Sequence, residues 1–137
     1  MAKDFFHQVF KEILLADGWN VTHDPFQVRV GSIGYEIDFG AEKLIAAEKD
    51  NTKIAIELKS FNGPSNINEF HKAVGQFNDY FVILEMLDPT RVLYLAVPEK
   101  TWNTFFQEIV IKKAIERIEA KIIVYNPFTK KIVQWIN

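Results

Sequence analysis

Cysteine is absent from this chain of 137 residues. That absence excludes disulfides, thiolate metal sites and a cysteine nucleophile together, so any metal must sit on oxygen or imidazole. Also missing is a strong charge bias: the formal net charge is −2 and no run of five like charges occurs. A protein that coats nucleic acid is therefore not indicated, although a local basic rim stays open, because phosphate attraction depends on the field near a groove. No stretch reaches the roughly 18 consecutive apolar residues of a membrane span. The first ten residues, MAKDFFHQVF, lack the long apolar core of a signal peptide. A cytoplasmic protein without membrane association is expected. There is no phosphate-cradling GxxxxGK[ST] and no GxGxxG. The three histidines, His7, His23 and His71, stand far apart with no i, i+4 partner and read as ordinary surface or core residues.

What is present is enough apolar material for one domain over residues 1–137, since 48% hydrophobic and 25% charged residues at this length support a single sizeable core. Twelve Phe against 4 Tyr and 3 Trp place most rings inside, because Phe carries no polar handle. No internal repeat or low-complexity segment is seen.

The periodicities predict an α/β chain. Phe6, Val9, Phe10, Ile13 and Leu14 recur at helical spacing over Lys3 to Asp17, and Gly18 supplies a stop. Alternating pieces follow from Trp19 to Val30, and Gly31-Ser32-Ile33-Gly34 reads as a turn. Strands are expected over Tyr35 to Phe39, Leu44 to Lys49 and Lys53 to Ser60, the last two joined at Asp50-Asn51-Thr52. After the break at Asn62-Gly63-Pro64, Ser65 or Asn66 caps a helix to about Leu87, with Glu69 placed to complete an Asn66-x-x-Glu69 box. Its expected buried stripe is Ile67, Phe70, Val74, Phe77, Phe81 and Leu84, with Gln76 and Tyr80 neighbours on a flanking face. Arg91 to Val97 is a dense interior strand. Lys100 to about Glu119 reads as helix with a break near Ile109 to Ile111, and Lys121 to Tyr125 with Lys131 to Ile136 as a terminal hairpin.

The chemistry concentrates between Tyr35 and Lys59. Side chains alternate across a strand, so Ile54, Ile56 and Leu58 share one face and Lys53, Ala55, Glu57 and Lys59 the other, while Asp38 lies opposite Ile37 and Phe39. Two neighbouring strands would then aim Asp38, Glu57 and Lys59 into one pocket. Converging carboxylates repel unless a cation lies between them. With oxygen ligands alone the expected ion is Mg²⁺ or Mn²⁺, held by Asp38, Glu57 and the carbonyl of Leu58. Lys59 would orient a water or stabilise developing negative charge, and Gln76 and Tyr80 would position substrate or water. Glu12, at the edge of the first helix's apolar stripe, could face a cleft beside the sheet; its plainer reading is a solvated carboxylate. For Glu57 and Lys59 the plainer reading is an exposed strand face of alternating charge.

Asp38, Glu57-Leu58-Lys59 and Gln76-x-x-x-Tyr80 resemble the PD-(D/E)xK nuclease superfamily, although Ile37 stands where that motif has proline. Across nearly the full length, through MAKDFFHQVFKEILLADGWNVTHDP, IDFGAEKLIAAEK, IAIELKSFNGPSNINEFHKAVGQF and RVLYLAVPE, the chain is similar to the XisH family, the fdxN-element excision controlling factors of cyanobacteria. The resemblance implies a restriction-endonuclease-like α/β core, with a mixed β-sheet flanked by helices and a C-terminal β-hairpin. It also implies a role in programmed DNA excision beside a site-specific recombinase and an XisI-like companion protein. On that pattern Asp38 and Glu57 carry over as metal ligands, Lys59 as catalytic lysine, and Glu12 as a weaker match to an acidic position of the first helix. DNA is the implied substrate, and a homo-oligomer is left open. The family label promises control of excision, so the alternative is a non-catalytic accessory factor that steers the recombinase.

Overall fold

The structure, a computed structural model, describes residues 2–26, 44–61 and 65–137. Its elements run α1 (Ala2–Ala16), β1 (Asn20–His23), β2 (Leu44–Lys49), β3 (Thr52–Leu58), α2 (Asn66–Leu87), β4 (Arg91–Pro98), α3 (Glu99–Asn103), a 3₁₀ turn (Phe105–Gln107), α4 (Ile109–Arg117), β5 (Lys121–Asn126) and β6 (Lys131–Ile136). The strand expected over residues 35–39 and the turns at 31–34 and 62–64 lie outside the described residues.

The strands form one mixed sheet in the order β1-β2-β3-β4-β5-β6. Pairs β3–β4 and β4–β5 are parallel and the others antiparallel. Parallel neighbours need long crossovers, and α2 and the α3–α4 segment supply them. Both crossovers cover the same face, where Phe70, Phe77, Tyr80 and Leu84 of α2 and Ile111 and Ile115 of α4 meet Ala55, Leu95, Ile122 and Val124. The opposite face is covered by α1, whose Val9, Phe10, Ile13 and Leu14 pack on Ile45, Ile54, Ile56, Tyr94 and Tyr125. Strand β3 is thus buried on both sides, and the exposed face of alternating charge considered for Glu57 and Lys59 does not occur.

Local chemistry explains most boundaries. Gly18 takes φ +92° after α1, and Asp50 takes φ +55° in the β2–β3 hairpin, conformations that glycine and Asp adopt at low cost. The cap of α2 is Ser65, whose Oγ accepts from the Asn68 N–H at 3.3 Å, so the Asn66-x-x-Glu69 box is not the one used. The helix is also rotated from the expected stripe. Ala73, Tyr80 and Ile83 are buried, whereas Ile67 and Phe81 are exposed. The interruption after β4 falls at Thr104–Glu108, earlier than Ile109. Trp102, Phe105 and Phe106 there turn toward Phe61 and Phe70, and satisfying that aromatic cluster takes precedence over helical continuity. Among the described residues no helix is long and apolar enough to cross a membrane.

Candidate functional site

Glu57 is the penultimate residue of β3, and the register sets Leu44 of β2 on one side of it and Leu95 of β4 on the other. Directly opposed residues in a sheet point to the same face, so the carboxylate stands between two leucines on the side covered by α2. It is 3% exposed, and neither of its oxygens has a hydrogen-bond partner among the described residues. Burial alone pushes its carboxyl well above the usual range. A fold ordinarily pairs a buried carboxylate or replaces it. One left without a partner among the described residues and set beside other polar groups is a candidate binding position.

Those polar groups come from Lys59 and α2. The Lys59 N–H bonds the Ala96 carbonyl at 3.1 Å, continuing the β3–β4 ladder one step past the strand. Its side chain is 1% exposed, and its Nζ donates to Oε1 of Gln76 at 2.8 Å. The end of β3 is thereby tied to the third turn of α2. Two residues on, Phe61 adopts φ +52°, a left-handed conformation that bulky side chains rarely enter. Its ring is locked edge-on against Phe106, 5.2 Å between centroids, and lies 6.1 Å from Phe105. This aromatic clamp holds the backbone in that conformation two residues past Lys59. The sequence gives no signal for it, since the glycine of that segment is Gly63.

Of the other expected site residues, Asp38 lies outside the described residues, and among those described no three His, Asp or Glu side chains converge to hold a metal. Leu58 ends β3 with its side chain on the α1 face, partly buried there. Tyr80, one turn beyond Gln76, is buried in the cluster that contains Leu44 and Leu95, the two residues flanking Glu57. Glu12 is not brought to this group. Its helix covers the opposite face, and its exposed carboxylate pairs with Lys130 Nζ at 3.1 Å beside the β5–β6 turn. The structure therefore gathers Glu57, Lys59 and Gln76, places Tyr80 in the apolar wall beside them, and sets Glu12 apart.

An unpaired buried carboxylate, an ammonium two residues on and an amide that orients it fit a divalent cation and an oxyanion. The acid would complete a hard oxygen ligand set and the lysine would face developing negative charge. The XisH protein family model matches residues 1–133. The crystal structure of an XisH family protein from Nostoc punctiforme PCC 73102 superposes with a TM-score of 0.89 at 46% identity, covering 97% of this chain and 99% of the other. That of an fdxN element excision controlling factor protein from Anabaena variabilis gives 0.90 at 47% identity, covering 98% and 99%. Comparison with curated proteins gives no match.

Proposed function

Because the chain belongs to the XisH family, we propose that it is an excision controlling factor for a DNA element, with a restriction-endonuclease-like core and a divalent-metal-dependent site for phosphodiester hydrolysis. The observation that carries this reading is the Glu57 carboxylate, buried without a partner among the described residues and two residues from Lys59. Asp38, Glu57 and the Leu58 carbonyl would hold Mg²⁺ or Mn²⁺, which when bound acidifies a water and offsets charge on the phosphate. Lys59 contributes a fixed positive charge. With Nζ anchored to Gln76 Oε1, it donates to a non-bridging phosphate oxygen, or to the attacking water, without first losing rotamer freedom. The apolar wall of Leu44, Leu95 and Tyr80 keeps bulk water away, so that charge interacts at a lower dielectric.

The partners implied are DNA, a site-specific recombinase and an XisI-like companion protein. A second reading, a non-catalytic accessory factor that regulates the recombinase through the companion, is favoured by the net charge of −2 and by the exposed apolar residues Phe81, Val82 and Met86 of α2. Incubating supercoiled, branched and single-stranded DNA with the protein and Mn²⁺ or Mg²⁺ separates the two. Metal-dependent cutting abolished by both Asp38→Ala and Lys59→Ala is the result expected of the nuclease. A folded wild type that cuts nothing, with or without its companion, supports the accessory factor.

A further inference from the structure

Helix α2 carries a feature that neither its packing nor the chemistry above uses. Gly75 lies in the middle of the 22-residue helix Asn66–Leu87, is exposed, and has nothing within 4 Å of where a Cβ would stand. Glycine disfavours a helix interior because the unfolded chain has more freedom to lose. Among the described residues no neighbouring side chain or backbone requires it. A glycine that helps neither helix nor core is understandable where a ligand must come close to the backbone.

The surroundings show what kind of ligand. Gly75 lies in a shallow cavity of about 480 Å³ lined by His71, Lys72, Gly75, Gln76, Asn78 and Asp79. Lys72 and Gln76 are four residues apart on one row of the helix, and His71 and Gly75 on the next. Gln76 is shared between the cavity and the site, since it lines the first and its Oε1 accepts from Lys59 of the second. None of the described side chains of the lining is apolar. A protein-binding surface carries an apolar, aromatic-rich centre. A hollow walled by an ammonium, an imidazole and two amides matches the sugar-phosphate contacts that position a nucleic-acid strand without reading its sequence. The carboxylate, Asp79, is a full turn beyond Gly75 and bounds the cavity on that side.

We propose that this face of α2 is the DNA-backbone subsite of the protein, with Lys72 and His71 contacting phosphates and Gly75 letting the strand approach close enough for the next phosphate to reach Lys59. The proposal rests on the nuclease reading above and names how its substrate is seated. It accounts for catalysis by a chain with no overall basic charge, since only a short stretch of strand is gripped.

The test is fluorescence anisotropy with labelled single-stranded and branched DNA in Ca²⁺, on the full chain, beside thermal unfolding and the cleavage assay. Gly75→Ala is expected to raise the unfolding temperature, because alanine is the better helix former and space is available, and yet to weaken DNA binding severalfold. Gly75→Leu weakens it about tenfold or more, and Lys72→Ala lowers the slope of log affinity against log salt by about 1. Opposite signs for stability and binding in Gly75→Ala rule out misfolding as the cause. If wild type cuts DNA and Gly75→Leu binds it unchanged, the subsite is overturned and the nuclease reading stands. If no DNA is bound or cut by wild type, both fall. If Gly75→Leu keeps DNA affinity but loses a co-purifying companion protein, the face belongs to a protein partner and the proposal is wrong.

Discussion

Lys59 Nζ donates to Gln76 Oε1 across 2.8 Å, joining the end of β3 to the third turn of α2. Lys59 is almost wholly buried, and a long side chain confined this way has already lost most of its rotamer entropy before any substrate arrives. On the nuclease reading Gln76 is accordingly a positioning residue. Gln76→Ala is expected to lower kcat for cleavage by about ten- to a hundredfold, within the range seen when a supporting partner is removed, and to leave KM close to that of wild type. Gln76→Glu retains an acceptor for Lys59 and should recover part of the rate. Single-turnover cleavage at saturating protein measures both.

Phe61 gives an inverted order of substitution. Removing its ring from contact with Phe105 and Phe106 costs about 3 kcal/mol or more whatever small residue replaces it. At φ +52°, however, glycine is unstrained where alanine is not. Phe61→Gly should therefore be the more stable of the two by about 1 kcal/mol, contrary to the usual rank, as read from urea denaturation midpoints.

Tyr125 is fully buried on the α1 face, 5.1 Å from Phe10 in an edge-to-face contact. Its hydroxyl has no hydrogen-bond partner among the described residues, and burial raises its ionisation far above the ordinary phenol value. An unsatisfied buried hydroxyl costs about 1–3 kcal/mol. Tyr125→Phe keeps the ring contact and removes the cost, so equilibrium unfolding should show a gain of about 1 kcal/mol.

Asp88, just after α2, accepts from Lys53 Nζ at 2.7 Å and from Arg91 Nε at 2.9 Å. The Lys53 bond foremost holds its carboxyl below the ordinary value; burial opposes it, and Arg91 adds to the lowering. A depressed carboxylate stabilises the fold fully above its unfolded pKa of about 3.9, and that contribution is lost as pH falls from there through the folded value. Urea midpoints followed from about pH 6 to about pH 2 should show this acid loss in wild type, and Asp88→Asn should flatten part of it while being less stable at neutral pH.

The strands from β2 to β6, the β2–β3 hairpin and the start of α2 were legible because each rests on local chemistry: alternation in KIAIEL, Asp50 in a tight turn, Ser65 ahead of a helix. Two features depend on tertiary competition and were not. The buried side of α2 is decided by which residues meet Leu44 and Leu95, and this favours Tyr80 over Phe81 although phenylalanine is the more apolar. The helix after β4 breaks at Thr104–Glu108 because Trp102, Phe105 and Phe106 join Phe61 and Phe70 in one cluster, a preference no window of sequence contains. At the candidate site, the pattern in β3 named Glu57 and Lys59 and helical spacing named Gln76. It could not show that Glu57 is buried between leucines, that Lys59 and Gln76 are bonded, or that Glu12 is turned toward Lys130.

On the nuclease reading, Glu57 is buried with no hydrogen-bond partner among the described residues because a divalent cation completes its environment. Mn²⁺ binding to the metal-free protein, followed by electron paramagnetic resonance with unfolding temperatures taken in parallel, tests it most directly. Saturable binding of Mn²⁺ and a rise in unfolding temperature are expected of wild type. In Glu57→Gln binding is lost, while the metal-free variant is more stable than metal-free wild type by about 1–2 kcal/mol at neutral pH, because a carboxyl whose pKa burial raises costs the fold stability above its unfolded pKa and an amide does not. Equal Mn²⁺ binding by wild type and Glu57→Gln, or no saturable binding by either, would contradict it.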